Sequence, residues 1–201
     1  RKKNLKIKQA LAAIGQGILM QIYEKLFAEY GIIVAQVLVT RDDLLKGIRR
    51  KNALNTLTTL LEFGVVPIIN ENDTVATEEI VFGDNDTLAA VVAKLIDADL
   101  LIILSDVDGL YTAPPEEPGA RKISLVEEIT PDIEISAGES GSSFGTGGMH
   151  SKISAAKIAT EAGIAMTIID GENPLYIYDV LKGENPGTFF MPVKKKQGGG
   201  I

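Results

Sequence analysis

Glycines placed just ahead of a lysine-bearing helical run are the first chemical signal: Gly145-Thr146-Gly147-Gly148-Met149-His150-Ser151-Lys152. Glycines in such a place let backbone N–H groups approach a phosphate, and a helix start adds a favourable dipole. Thr146 can cap that helix, and Lys152 in the first turn can lay its ammonium against phosphate oxygens. A plain surface loop before a capped helix would leave the same trace. The run is neither a Walker A loop, whose spacing is absent, nor a nicotinamide fingerprint, because it lies late in the chain.

Two further polar clusters follow apolar runs. Asn70-Glu71-Asn72-Asp73 closes one of them, and Gly83-Asp84-Asn85-Asp86 stands a short way on. Carboxylates for an ammonium and amides for a carboxylate would suit an α-amino acid, although Asp84, Asn85 and Asp86 taken alone read first as a capped turn. Packing this many polar groups near a strand end is unfavourable unless a ligand or their neighbours satisfy them. Ser105-Asp106-Val107-Asp108-Gly109-Leu110-Tyr111 follows the third apolar run. Its Asp-Gly is ordinary turn chemistry, while its acids could instead meet a nucleotide ribose or lie near Mg²⁺.

Composition narrows the chemistry. The chain has 201 residues, no Cys and a single histidine, His150. Thiolate catalysis, disulfides, Cys-ligated metals and histidine triads are therefore excluded as designs. His150 reads as a neutral helix-start residue. A formal charge of −7 argues against nucleic acid and anionic membranes as partners. No signal peptide or bilayer-length apolar stretch is visible, which fits a cytosolic setting. Phosphoryl transfer to a carboxylate suits this inventory, because a carboxylate is ionised at neutral pH and needs no general base. The protein's task is then alignment and charge neutralisation.

The elements that must position these groups alternate. Helical spacing runs from Leu5 to Tyr30 (Leu11, Ile14, Ile18, Ile22, Leu26), then a strand from Ile32 to Thr40, a helix from Gly47 to Phe63 and a strand from Val65 to Ile69. A short hairpin at Glu79 to Phe82, a helix from Thr87 to Ala98 and a strand from Leu100 to Leu104, too apolar to face water, come next. Polar, Pro-rich and Gly-rich loops precede a helix from Met149 to Ala162. A strand at Ala165 to Ile169, a helix at Pro174 to Leu181 and a strand at Thr188 to Phe190 close the series. The pattern predicts a three-layer α/β/α sandwich with a mainly parallel sheet. It predicts two lobes, 1–97 and 98–193, with 194–201 as a tail or linker. Ligands of such sheets bind beyond the carboxyl ends of the strands, where Asn70 to Asp73, Ser105 to Asp108 and the Gly-rich run before Met149 fall.

Lys8-Gln9-Ala10, Gly15-Gln16, Pro67 to Asp73, Gly83 to Asp86, Ser105 to Tyr111 and Gly145 to Lys152, in this order, resemble the glutamate 5-kinases of the amino acid kinase superfamily over roughly Asn4 to Pro192. The resemblance implies transfer of the γ-phosphoryl group of ATP to L-glutamate, giving L-glutamyl 5-phosphate, the first step of proline synthesis. It implies that Asp73 and Asn85 bind glutamate, with Asn70 and Asp84 close by. Asp86 would orient the catalytic lysine. Ser105, Asp106 and the run Thr146, Gly147, Gly148, Met149, His150, Ser151 and Lys152 would hold ATP. Mg²⁺, homo-oligomers and feedback by proline also come with the family.

The departures carry expectations too. The family's first strand, with its lysine and Gly-Thr-Ser loop, and its Thr-Ser-Gly-Ala segment have no counterpart here, so the 201 residues are expected to be incomplete for activity. The opening Arg1-Lys2-Lys3-Asn4 and the closing Lys194 to Ile201 suggest sequence missing at both ends. Ala113-Pro114-Pro115 replaces the usual Ala-Asp-Pro, and Leu44 to Asn52 replaces an acidic-aromatic helix start. Kinases acting on acetylglutamate, aspartate, carbamate or uridylate, and a non-catalytic module binding ATP or an amino acid, are the alternatives.

Overall fold

The computed structural model describes residues 2–75, 84–113, 117–134 and 148–193. The hairpin expected at Glu79 to Phe82, together with Gly83, Pro114-Pro115, the loop from Gly138 to Gly147 with Thr146 and Gly147, and the tail 194–201 lie outside the described residues. The chain divides into two compact units, Arg1–Asn85 and Asp86–Ile201. The division falls at the head of the fourth helix, whereas the composition of the chain shifts near Ala98.

In the first unit, helix α1 (Lys2–Ala28) leads into strand β1 (Val34–Val39), and α2 (Arg41–Leu45) and α3 (Gly47–Glu62) lead into β2 (Val66–Glu71). β1 and β2 pair in parallel from Val34↔Val66 to Val39↔Glu71. The strand thus runs through Asn70 and Glu71, two residues past its expected end, because the ladder continues through them. α2 was not expected. It starts where the Asp43 carboxylate accepts both the N–H and the hydroxyl of Thr40. The half-buried face of α1 is Leu5, Gln9, Ala12, Gln16, Leu19, Tyr23 and Phe27, while Leu11, Ile14, Ile18, Ile22 and Leu26 are exposed. The helix therefore packs through a face adjacent to its most apolar stripe.

The second unit contains α4 (Asn85–Leu95), β3 (Leu100–Ser105), the short strands β4 (Leu110–Tyr111), β5 (Lys122–Ile123) and β6 (Leu125–Val126), α5 (Met149–Glu161), β7 (Ala165–Asp170), α6 (Tyr176–Leu181) and β8 (Thr188–Phe190). The sheet runs β3-β7-β8-β6, with β7–β8 as its antiparallel step; β4 and β5 form a separate antiparallel pair. Two-residue strands leave too little periodicity to register in a sequence, so β4 to β6 lie where the sequence predicts loop. Leu104 corrects the expectation for β3: it is 48% exposed, so one position of that apolar strand faces water.

Small side chains make up the buried faces of two helices. Ala90 and Ala93 of α4 and Ala155, Ala156 and Ala159 of α5 join Ile103, Met166, Ile168 and Phe190 in one buried cluster. Gly163 ends α5 at φ +84°, donating to Thr160 O while Ile164 N–H reaches back to Ala159 O. That closing pattern needs the left-handed region, which glycine enters without strain. It turns the chain directly into β7.

Candidate active site

Asp86 sits in the first turn of α4, not in a turn preceding it, because the helix opens on Asn85. A carboxylate there is favoured by the helix dipole. Gly148 caps α5 in an extended conformation, which sets Ser151 and Lys152 at the third and fourth positions of that helix. Asp86 Oδ2 accepts from Ser151 Oγ at 2.9 Å and from Lys152 Nζ at 3.1 Å. The ion-paired side chains are only 17% and 8% exposed. Two helix starts are thereby tied together through one carboxylate oxygen.

The fields at this point are informative. An ammonium at a helix N-terminus opposes the dipole, so Lys152 does not serve the stability of α5. Asp86 offsets the charge and fixes it in place. The same N-terminal field and the adjacent glycine favour an incoming anion. The Ser151 hydroxyl lies against Asp86 and against Gly148 O at 2.8 Å. Met149 is half-buried and His150 exposed at the head of α5, and the His150 carbonyl accepts from Ser154 Oγ.

Ser105 closes β3, buried, with its Oγ donating to Asp106 Oδ1 at 3.1 Å and accepting from Val107 N–H at 3.3 Å. That leaves Asp106 exposed at the carboxyl edge of the strand. Asp108, a possible ribose or metal neighbour by sequence, instead accepts from Tyr111 Oη at 2.9 Å and from Lys122 Nζ at 3.1 Å. Burial pushes the Asp108 carboxyl up, but the Tyr111 and Lys122 contacts outweigh it and hold it below the ordinary value. The same bond raises the Tyr111 phenol.

The first unit has a cleft of about 310 Å³ lined by Ala12, Gly15, Gln16, Asn70, Asp73 and Thr74, among others. Asn70 Oδ1 accepts the N–H of Glu71 at 2.9 Å, so its amide nitrogen faces Gln16 Oε1 at 3.1 Å. Gln16 in turn donates to Gln36 Oε1 at 3.2 Å. This chain of amides sets the orientation of both side chains, because each amide offers one accepting and one donating end. Asp73 stands exposed at the rim. Asp84, half-buried, and Asn85, exposed, head α4 and are not among the lining residues. Residue-type reasoning missed Gln16 as a lining group. The signal available was a polar residue on the packed face of α1.

Residues 1–170 match the model of the amino acid kinase family. A glutamate 5-kinase of Carboxydothermus hydrogenoformans is 57% identical over 97% of this chain, and the chain spans 52% of that relative's length. A glutamate 5-kinase of Clostridium acetobutylicum is 55% identical over 97% of this chain and is spanned to 73%. Among solved structures, an isopentenyl phosphate kinase superposes with a TM-score of 0.61 at 22% identity, covering 88% of this chain and 66% of that one. A carbamate kinase from Giardia lamblia bound to AMP-PNP gives 0.60 at 17%, covering 91% and 75%. At such identities these two carry the fold alone. The fold, the family model and the relatives agree: this chain belongs to the amino acid kinase family, in its glutamate 5-kinase branch.

Proposed function

We propose that this chain forms part of an enzyme that transfers the γ-phosphoryl group of ATP to the γ-carboxylate of L-glutamate, giving L-glutamyl 5-phosphate and ADP. The observation that carries this reading is the buried Lys152–Asp86 pair at the start of α5. Lys152 presents a fixed positive charge where negative charge spreads over the transferring group. A glutamate carboxylate oxygen forms the new bond to phosphorus while the bond to the ADP oxygen breaks, and no proton needs to move. The cleft by Asn70 and Asp73 supports the amino-acid half, with Asp73 for the ammonium and the amide of Asn70 for a carboxylate. Asp84 and Asn85 belong to that half by sequence resemblance. Ser105, Asp106 and the run from Thr146 to Lys152 belong to the nucleotide half on the same ground.

The reading brings with it a cytosolic setting, homo-oligomers and inhibition by proline at the amino-acid cleft. Mg²⁺ belongs to it as well. Among the described residues no group of three acidic or imidazole side chains comes together, so they do not fit a protein-only metal cage. The test is ADP release by the intact protein with glutamate, N-acetylglutamate, aspartate and carbamate offered in turn. Glutamate should turn over fastest. Faster turnover of another acceptor would overturn the assignment, and ATP binding with no turnover of any acceptor would favour a binding module.

A further inference from the structure

We propose that Ser151 is a positioning residue for Lys152, acting through Asp86, and not a contact to the nucleotide. The inference rests on the phosphoryl-transfer reading and names how the catalytic ammonium is held. Ser151 is 6% exposed, and its Oγ has two acceptors in reach, Asp86 Oδ2 at 2.9 Å and Gly148 O at 2.8 Å. A hydroxyl carries one proton. Gly148 O already receives the N–H of Ser151 at 3.0 Å, whereas Asp86 is a charged acceptor and forms the stronger bond. The proton therefore belongs to Asp86.

That bond constrains the carboxylate from one side while Lys152 approaches the same oxygen from another. Lysine has a flexible four-carbon stem, so a shift of the Asp86 carboxylate can carry the ammonium with it. Without the hydroxyl, the Asp86 carboxylate can turn about its last bond and Lys152 follows it. A displacement of one ångström or less at a reacting centre is enough to slow turnover. Ser151 and Lys152 are successive residues on α5, so the helix that carries the ammonium also carries the group that steadies its counter-ion.

The experiment compares Ser151→Ala, Ser151→Thr, Lys152→Met and the double variant Ser151→Ala/Lys152→Met in the intact protein. Ser151→Ala is expected to lower kcat roughly tenfold, the scale of one lost hydrogen bond to a charged group, with KM for ATP within about twofold. Ser151→Thr should recover most of the loss. The alanine change should have no further effect on kcat when Lys152 is already methionine. A rise in KM for ATP at unchanged kcat would make Ser151 a nucleotide contact and overturn the proposal, as would additive losses or no loss.

A second measurement does not need turnover. With ATP absent, acetic anhydride should label Lys152 several times faster in Ser151→Ala than in the parent, with exposed Lys157 as the internal reference. Equal labelling rates would overturn the proposal even if the protein used another acceptor. Failure of the glutamate assignment would show instead as a changed acceptor order in the parent protein.

Discussion

Lys152 Nζ and Asp86 Oδ2 lie 3.1 Å apart, each at the N-terminal end of its own helix and each largely removed from water. A buried ion pair is weak support for stability, because desolvation of both partners offsets their attraction. Its position explains it better than its energy does. The pair holds a cation beside a glycine-capped helix start, where an anion is favoured.

Lys152→Met should therefore separate the two roles. The methionine keeps an apolar stem of similar length while removing the charge, so the protein should still fold, with the melt lowered by leaving the Asp86 carboxylate without its cation. Turnover should fall roughly 10²-fold or more, the scale for losing one preorganised charge at the reacting group. Steady-state ADP release and a thermal melt check both halves of the statement. Unchanged turnover in a folded variant would remove Lys152 from the mechanism.

Asp73→Ala should act on the amino acid and not on the nucleotide. Asp73 lines the rim of the cleft that holds Asn70 and Gln16, and it is exposed, so the fold does not depend on it. Loss of a charge-assisted contact to an ammonium should raise KM for the acceptor about tenfold or more. Initial-rate measurements with each substrate varied would decide. A raised KM for ATP with that for the acceptor intact would contradict this placement.

Much of this site was legible before the structure, but unevenly. Asp86, Ser151 and Lys152 were marked by glycines before helical runs, a local signal that depends on residues adjacent in sequence. What joins them is tertiary: α4 and α5 both contribute alanines to one buried cluster, and residues 86 and 152 meet through a contact no window of sequence contains. Gln16 belongs to a motif the sequence displays, but its place in the cleft was hidden for the opposite reason. The apolar stripe of α1 pointed to Leu11, Ile14 and Ile18, yet the packed face runs through Ala12, Gln16 and Leu19. Periodicity identifies a helix; it does not say which face meets the sheet when a second apolar face is available. β4, β5 and β6 are too short for any period to register.

Asp108 predicts a pH dependence away from the catalytic groups. Its folded-state value is depressed, because the bonds from Tyr111 and Lys122 outweigh the opposing effect of burial. The stability it contributes is complete above the ordinary value of 3.8 and is lost as pH falls below that through the depressed value. Tyr111 gives the mirror case: its value is raised above 10.0, so its contribution is complete below that and lost as pH climbs through the raised value. Melting temperatures between about pH 2 and 5 should fall less steeply in Asp108→Asn than in the parent. Parallel curves would mean that the Asp108 contacts do not persist in solution.

Gly187 and Gly17 should respond to alanine with opposite signs. A Cβ at Gly187 would stand 1.8 Å from the Ile168 carbonyl oxygen and 2.9 Å from its carbon. The obstacle is backbone of β7, which pairs with β8 through Ile168↔Thr188 and has a buried side chain on that residue. No rotamer change relieves such a clash, so the two strands must separate locally. Gly187→Ala should lose at least about 3 kcal/mol, at or above the usual range for overpacking. Gly17 lies inside α1 with nothing within 4 Å of an added Cβ. Gly17→Ala should gain about 0.5–1 kcal/mol, since alanine removes the entropy penalty of a helical glycine. Urea unfolding of the intact protein reads both changes. A Gly187→Ala midpoint equal to the parent's would show that β8 does not cross β7 as closely as described.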